Sequence, residues 1–316
     1  MMKAAIVTEA EKTPIYDHFK EPIPTADEVR VTVSTAALSH IVKSRASGKH
    51  YSASGHFPFV VGIDGVGYLD DGRRVYFVLP RTPFGSMSEQ TVVPMSQCVM
   101  LPDGLDDVTA AAIANPGMSA WAAFKERANL MAGETVLVNG ATGSAGSLAV
   151  QIAKHMGAKK VIATGRNVEA LTALDADVTI PLGATDDTFE DALQEQFRIG
   201  IDVVVDYLWG ESAERIIIAA AKAAPEGYPI RFVHIGSVSA QNISLPSAAL
   251  RASAIVLMGS GIGSIPPDRF IKSIAELMQA PIVDGFTIAT KAIPLSDVET
   301  VWNTGGTNPR IVFQIA

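Results

Sequence analysis

Three glycines, Gly140, Gly143 and Gly146, recur every third residue between Val138 and Ser147. Glycine at that spacing lets a chain turn tightly and bring its backbone N–H groups close to an anion. Ser144 and Ser147 stand among them, as phosphate donors or as caps for a following helix. Read strictly, the turn is A-x-G-x-x-G, on Ala141, Gly143 and Gly146. Such a turn seats a pyrophosphate when it joins a strand to a helix; elsewhere it is a structural turn. An NAD site places Asp or Glu about 20 residues past the glycines, for the ribose 2′-OH. Here that place holds Thr164, Gly165, Arg166 and Asn167, and the nearest acid is Glu169. A carboxylate would repel a 2′-phosphate, whereas hydroxyl, backbone N–H and guanidinium groups attract one, Arg bidentately. The pattern favours NADPH, with Arg166 setting the choice. The alternative is that Arg166 is a solvated residue at a helix start and that others read the adenosine end.

Other chemistry-bearing residues are sparser. A catalytic zinc needs three protein ligands drawn from Cys, His and carboxylates, with a fourth position open. His40, His50, His56, Asp64 and Cys98 have no spacing that suggests such a set, so no metal is expected. Cys98 lies among strand-like residues and reads as a small buried apolar residue rather than a reactive thiol. No G-x-S-x-G elbow is present, which leaves hydrolase chemistry without support.

The elements that must position these residues follow from periodicity. Thr135 to Val138 is a short apolar run of the buried parallel-strand kind. After the turn, Leu148, Ile152, Ala153 and Met156 recur at helix spacing, and Gly157 is placed to stop the helix. Val161 to Ala163 completes a strand–turn–helix–strand unit. Alternation continues with Val178–Pro181 (strand), Thr188–Phe197 (helix), Ile201–Tyr207 (strand), Glu211–Ala224 (helix), and the strands Ile230–Ile235 and Ala254–Met258. About six strands alternating with helices predict an α/β fold, a Rossmann doubly wound parallel sheet. Asp268–Gln279 reads as a further helix.

Before that unit, roughly the first 115 residues read as β-rich. Short strands are expected at Ala4–Thr8, Glu28–Ser34, Arg74–Leu79 and Ser88–Val93, with bends at Gly62, Gly65 and Gly67. Asp107 is read as the cap of a helix ended by Asn115-Pro116, and Trp121–Asn129 as a separate helix. Strands at Phe286–Ala289 and Ile311–Ile315 are expected to rejoin the first domain.

Bulk properties bound the class. The chain has 316 residues, 48% apolar and 18% charged, with a net charge of −8 and one cysteine. That length suggests two domains, and the composition a soluble globular enzyme. The negative charge argues against a general nucleic-acid or anionic-membrane surface. One cysteine allows no internal disulfide and no four-cysteine zinc site. The N-terminal residues lack a signal-peptide pattern and no apolar run reaches a membrane span, so a cytoplasmic protein is expected.

The order of pieces resembles the medium-chain dehydrogenase/reductase superfamily, and within it the zinc-free quinone oxidoreductase and enoyl reductase branch. Pro58–Gly67 is similar to that family's P-x-x-x-G-x-[DE]-x-x-G segment, and Phe84–Gln90 to its G-x-x-A-E strand. Met118-Ser119-Ala120-Trp121 resembles its T-A-[YW] helix start, Val136–Gly146 its nucleotide turn, and Asn308–Val312 its terminal G-[KR]-[IV]-V. The resemblance implies a GroES-like β-rich domain over residues 1–117, completed by 285–316. A Rossmann NADP-binding domain would occupy 118–284, with substrate in a cleft beside the nicotinamide. Cofactor contacts would fall on Ala141, Thr142, Gly143, Ser144, Ala145 and Gly146, then Thr164, Gly165, Arg166 and Asn167, then Leu208, Ile235 and Gly236. Met258, Gly259 and Ser260 would line the nicotinamide end, with Ser119 and Arg310 nearby.

In the family's zinc-binding members a Cys stands near Leu38–Ser39 and a Gly-His-Glu near Gly62-Ile63-Asp64; the first is missing here and the His is Ile63. The branch's Asn-x-x-Asp pair reads Ser39-His40-Ile41-Val42, and its Gly-x-Tyr survives, one residue later, as Gly48-Lys49-His50-Tyr51. Tyr51, Ser39 and Ser119 are therefore the candidate catalytic residues. Tyr51 would bond a carbonyl oxygen or supply a proton, with His50 or His40 competing for that role. The expected activity is hydride transfer from NADPH to a quinone or α,β-unsaturated carbonyl. A zinc-free carbonyl reductase and a non-catalytic NADPH-binding protein are the alternatives. The branch commonly pairs its sheets edge to edge, so Ala254–Met258 is the expected edge strand of a homodimer.

Overall fold

The computed structural model describes residues 1–48, 56–183, 186–304 and 309–315. The chain forms two compact units, Pro116–Ser273 and the joined segments Met1–Asn115 and Ile274–Ala316.

Pro116–Ser273 is built on six parallel strands. In spatial order they are Val178–Pro181, Lys160–Gly165, Thr135–Asn139, Val203–Asp206, Pro229–His234 and Ala254–Gly259. By chain order within the sheet this is 3-2-1-4-5-6, the doubly wound Rossmann arrangement. Thr135–Asn139 is buried along its whole length, as a central strand covered on both faces must be. Its register is set by apolar packing. Phe189, Leu193 and Phe197, four apart on the helix Asp186–Ile199, pack with Ile216, Ile217 and Ala220 of the helix Gly210–Ala223. Leu137, Val204 and Phe232 of the sheet belong to the same cluster. The strand Ala254–Gly259 lies at the edge of the sheet, with Val256 half-exposed.

The other unit is β-rich, which completes the two-part architecture expected of the sequence. Ile15–Phe19, Met2–Val7 and Phe59–Val60 form a three-stranded antiparallel sheet. A second sheet runs Thr290–Pro294, Arg310–Gln314, Glu28–Ala37, Asp64–Leu69, Arg74–Val78 and Cys98–Met100, with Gln90–Pro94 also paired to Glu28–Ala37. The C-terminal strand thus joins the N-terminal sheet, as the tail's short apolar run suggests. Val31, Val33, Phe77, Met87 and Phe313 fill the core. Gly67 is required by close approach, because a Cβ there would stand 2.3 Å from the Thr32 carbonyl oxygen.

Several local expectations are corrected. The helix starting at Asp107 does not end at Asn115-Pro116 but runs to Ala122, and continues as a π-helical turn, Ala123–Ala128. An interior proline costs about 3 kcal/mol, but the fully buried Ala110–Ala114 and the buried Ala120–Phe124 anchor the chain on either side. Asp107 is not the cap: Asp106 Oδ1 accepts from the Thr109 N–H at 2.9 Å, while Asp107 receives Ser34 Oγ and, at 2.9 Å, Arg74 Nη1. Phe286–Ala289 is irregular and the strand is Thr290–Pro294, in which only Ile293 is buried. Ile15–Phe19, with Asp17 and His18 inside it, carries too little apolar alternation to read as a strand, and Met2–Val7 supplies its pairing.

Candidate functional site

At the carboxyl ends of the Rossmann strands, four polar side chains stand in one row. The pairing sets Thr164 opposite Asn139, Asn139 opposite Asp206, and Asp206 opposite His234. Asn139, Asp206 and His234 each end a strand and Thr164 stands one residue before the end of its own; side chains two apart share a face, so all four point to the side of Leu137, Ile162, Val204 and Phe232. Thr164 Oγ donates to Asn139 Oδ1 at 2.6 Å, and Asn139 Nδ2 donates to Asp206 Oδ1 at 2.7 Å and to Ser212 Oγ at 3.0 Å. Asp206 also accepts from the N–H groups of Leu208 and Trp209, so its buried charge is met from several directions. His234 Nδ1 lies 3.5 Å from Asp206 Oδ2, and its ring packs on the Trp209 indole with centroids 4.3 Å apart. Trp209 takes φ 59°, a left-handed backbone that costs a non-glycine residue on the order of 1–3 kcal/mol. The Asp206 contacts hold it there.

The glycine turn sits above this row. Gly140 has φ 88°, and its N–H and that of Ala141 donate to the Thr164 carbonyl at 3.1 and 2.8 Å. A Cβ on Gly146 would lie 2.2 Å from the Gly140 oxygen, so the protein's own packing demands glycine there. Gly143 differs: its Cβ would meet nothing closer than the Gly140 oxygen at 3.8 Å, so nothing in its protein surroundings requires glycine. It is the N-cap of the helix Ser144–His155 and makes no side-chain capping bond. An unforced glycine at a helix start fits an anion brought close to the backbone.

Around the turn, the expected residues fall as follows. Ala141 is buried, Thr142, Ser144 and Ala145 are partly open, and Thr142 packs so close to Gly165 that a Cβ on Gly165 would lie 2.5 Å from its methyl. Thr164 is fully buried and its hydroxyl is spent on Asn139. Arg166 is exposed, and Asn167 caps the helix Val168–Thr172 by accepting from the Ala170 N–H at 3.0 Å. Leu208 packs on Gly140, and the N–H groups of Ile235 and Gly236 donate to the Asp206 carbonyl. Met258 and Gly259 close the edge strand, and the Ser260 N–H donates to the His234 carbonyl at 2.8 Å. These residues therefore share the carboxyl edge of one sheet. Ser119 lies inside the helix Asp107–Ala122, with its hydroxyl donating to the Pro116 carbonyl at 2.7 Å. Burial pushes its neighbour, the Tyr207 phenol, well up, with Ser119 partly offsetting the effect.

In the β-rich unit, Ser39 caps the helix His40–Ala46, its Oγ accepting from the Val42 N–H at 3.3 Å. Tyr51 and His50 lie outside the described residues. Desolvation, then the charges of Lys43 and Arg310, hold the His40 imidazole below its ordinary value. Arg310 is 6% exposed, and its Nε and Nη2 have no partner among the described residues. Tyr76 donates to Asp64 Oδ2 at 2.8 Å. Burial raises Asp64 to about 6, opposed by that bond and by the Arg310 charge. Among the described residues no group of three or more His, Cys, Asp or Glu side chains could hold a metal ion. Leu38 and Ile63 offer no donor atoms at the places where the zinc-binding members carry ligands.

The row of Asn139, Asp206 and His234 goes beyond the motifs read from the sequence. Its signal is a polar residue ending each of three apolar strands, VLVN, VVVD and RFVH. Trp209 carries no such signal, since a positive φ at tryptophan has no sequence mark.

A family model described as zinc-binding dehydrogenase matches residues 145–280. The chain is 27% identical over 350 aligned positions to a "probable NADPH-dependent quinone reductase", tdiC, of Emericella nidulans, covering 95% of this chain and 96% of that one. It is 32% identical over 210 positions to the 2-methylene-furan-3-one reductase of Solanum lycopersicum, covering 60% of this chain and about half, 52%, of that protein. The fold matches the quinone oxidoreductase of Thermus thermophilus, solved alone and with NADPH, at a TM-score of 0.81 and 23% identity, over 99% of this chain and 100% of that one.

Proposed function

The chain belongs to the medium-chain dehydrogenase/reductase superfamily, in its quinone oxidoreductase-like branch, and from that premise we propose that it is an NADPH-dependent, zinc-independent reductase of quinones or α,β-unsaturated carbonyls. The observation that carries the reading is the sterically unforced glycine at the helix N-cap, Gly143, with Arg166 just past the end of the next strand. The N–H groups of the turn would hold the pyrophosphate and the Arg166 guanidinium the 2′-phosphate. Leu208, Ile235 and Gly236 would flank the dinucleotide, and Met258, Gly259 and Ser260 its nicotinamide end. The buried Nε and Nη2 of Arg310, without a partner among the described residues, suit an anionic oxygen.

When bound, the reduced nicotinamide supplies a hydride. The chain's own contribution is alignment, exclusion of water and a donor for the oxygen that gains charge. Tyr51 is the proposed donor. Ser119 and Ser39 have their oxygens engaged, by the Pro116 carbonyl and the Val42 N–H, and would contribute by holding local backbone. The names of the reductases of Emericella nidulans and Solanum lycopersicum agree with this class of acceptor.

The reading extends to a cytoplasmic homodimer joined along Ala254–Gly259, where half-exposed Val256 lies on the edge strand of the sheet among the described residues. NADPH oxidation across a panel of quinones, enones and saturated ketones tests the function. Consumption with quinones or enones supports it; consumption with saturated ketones alone would shift the reading to a carbonyl reductase. NADPH binding with no oxidation by any acceptor would make it a non-catalytic binding protein.

A further inference from the structure

We propose that Arg127 is a positioning residue that splints the segment Gly259–Ser264, and through it the nicotinamide end of the cofactor site. The proposal rests on the cofactor reading above, which places Gly259 and Ser260 at that end.

The argument begins with the π-helical turn Ala123–Ala128. Wider turns of this kind are rare and recur at functional sites, because they re-aim side chains. This one is tied to the sheet at its end: Arg231, on the fifth strand, donates from Nη1 to the carbonyls of Ala128 at 2.9 Å and Asn129 at 3.3 Å, and from Nη2 to Glu134 at 2.6 Å. Asn129 ends the turn in the left-handed region, φ 49°. The post is therefore fixed to the sheet.

From that post two consecutive side chains reach the same stretch of chain. Arg127 Nε donates to the Gly259 carbonyl at 2.8 Å, and its Nη1 to the Ser264 carbonyl at 3.4 Å. Glu126, with its side chain largely buried, pairs with Arg269 at the start of the next helix. Gly259 ends the edge strand, so Arg127 holds both ends of the loop that leaves it. Within the loop, the Gly261 N–H donates to Ser264 Oγ at 2.9 Å, and the Ser264 N–H to the Gly261 carbonyl at 3.0 Å. The Ser260 N–H is held by the His234 carbonyl. A Cβ placed on Gly259, Gly261 or Gly263 would have nothing within 4 Å, and Gly263 has φ 96°. One planar guanidinium bridging two carbonyls fixes the loop's span as well as its place.

The test compares Arg127→Met and Arg127→Lys with the wild type. In the cofactor-free proteins, hydrogen exchange at the Gly261 and Ser264 amides should quicken about tenfold in R127M. Turnover of NADPH should fall on the order of tenfold in R127M and recover in part in R127K, whose ammonium can reach one carbonyl. Affinity for adenosine 2′,5′-bisphosphate, which occupies only the adenosine end, should stay within about twofold. Unchanged exchange and turnover in R127M would overturn the splint, as would parallel loss of adenosine bisphosphate and NADPH affinity, which marks a general loss of structure. A wild type that binds neither nucleotide overturns the cofactor reading and the role with it, and is told apart because it needs no variant to be seen.

Discussion

Asn139 Nδ2 donates to Asp206 Oδ1 at 2.7 Å, joining the carboxyl ends of the first and fourth strands of the Rossmann sheet. Those strands are neighbours because the strand order reverses between them, and ligands of such sheets lie in the crevice that the reversal opens. The floor beneath the glycine turn is thus a fully buried, hydrogen-bonded carboxylate.

Asn139→Leu keeps the side chain's bulk and removes a donor from that carboxylate. The Leu208 and Trp209 N–H groups remain, so the expected loss is about 2 kcal/mol of unfolding free energy. Urea denaturation checks it, and a variant as stable as the wild type would mean that Asp206 does not need Asn139.

The two glycines of the turn should separate structure from binding. Gly143→Ala brings its Cβ into no more than ordinary contact with the Gly140 oxygen, at 3.8 Å, and should fold with unchanged stability while losing about tenfold or more in NADPH affinity. Gly146→Ala drives a Cβ onto the Gly140 backbone and should lose about 1–3 kcal/mol of stability as well. Thermal melts and nucleotide titrations distinguish them. Equal affinity for NADPH in G143A and the wild type would remove the turn from the cofactor site.

Asp64 titrates at about 6 when folded, against about 3.9 in an unfolded chain. The folded state binds this proton more tightly, so its contribution to stability is lost as pH rises from about 4 to about 6, the reverse of a salt-bridged carboxylate. Asp64→Asn removes the titration. Between about pH 4.5 and pH 7.5 the stability of D64N relative to the wild type should rise by about 2 kcal/mol. A difference that does not change with pH would show that Asp64 has an ordinary affinity for its proton.

Cys98 is pushed up to about 11, chiefly by desolvation. Near pH 7 its thiolate is scarce, and alkylation of the native protein should run on the order of a hundredfold slower than in urea. Mass spectrometry over time measures both rates; comparable rates would expose Cys98 as a reactive thiol.

What the sequence revealed depended on how local the determinant was. The glycine turn, the helix after it and the strand Val178–Pro181 were legible because apolar period and glycine placement act within a few residues. Pro116 misled, because burial on both sides of it outweighs a local rule. Asp107 looked like a cap, but Asp106 takes that place and Asp107 binds Arg74, a partner set by sheet pairing rather than by neighbouring residues. At the site, the turn could be read directly. Thr164 looked like a ligand donor, yet its hydroxyl is spent on Asn139, a partner from the neighbouring strand. Arg127 gave no sign at all, since its role depends on a π turn and on carbonyls more than a hundred residues away in sequence.

The most direct test of the central claim is the ratio of NADH to NADPH dissociation constants, measured by titration for the wild type and for Arg166→Glu. A guanidinium meeting a 2′-phosphate predicts NADPH bound about tenfold or more tightly than NADH by the wild type, with the preference abolished or reversed in R166E. A ratio near one in the wild type, or a ratio that R166E leaves unmoved, would contradict it.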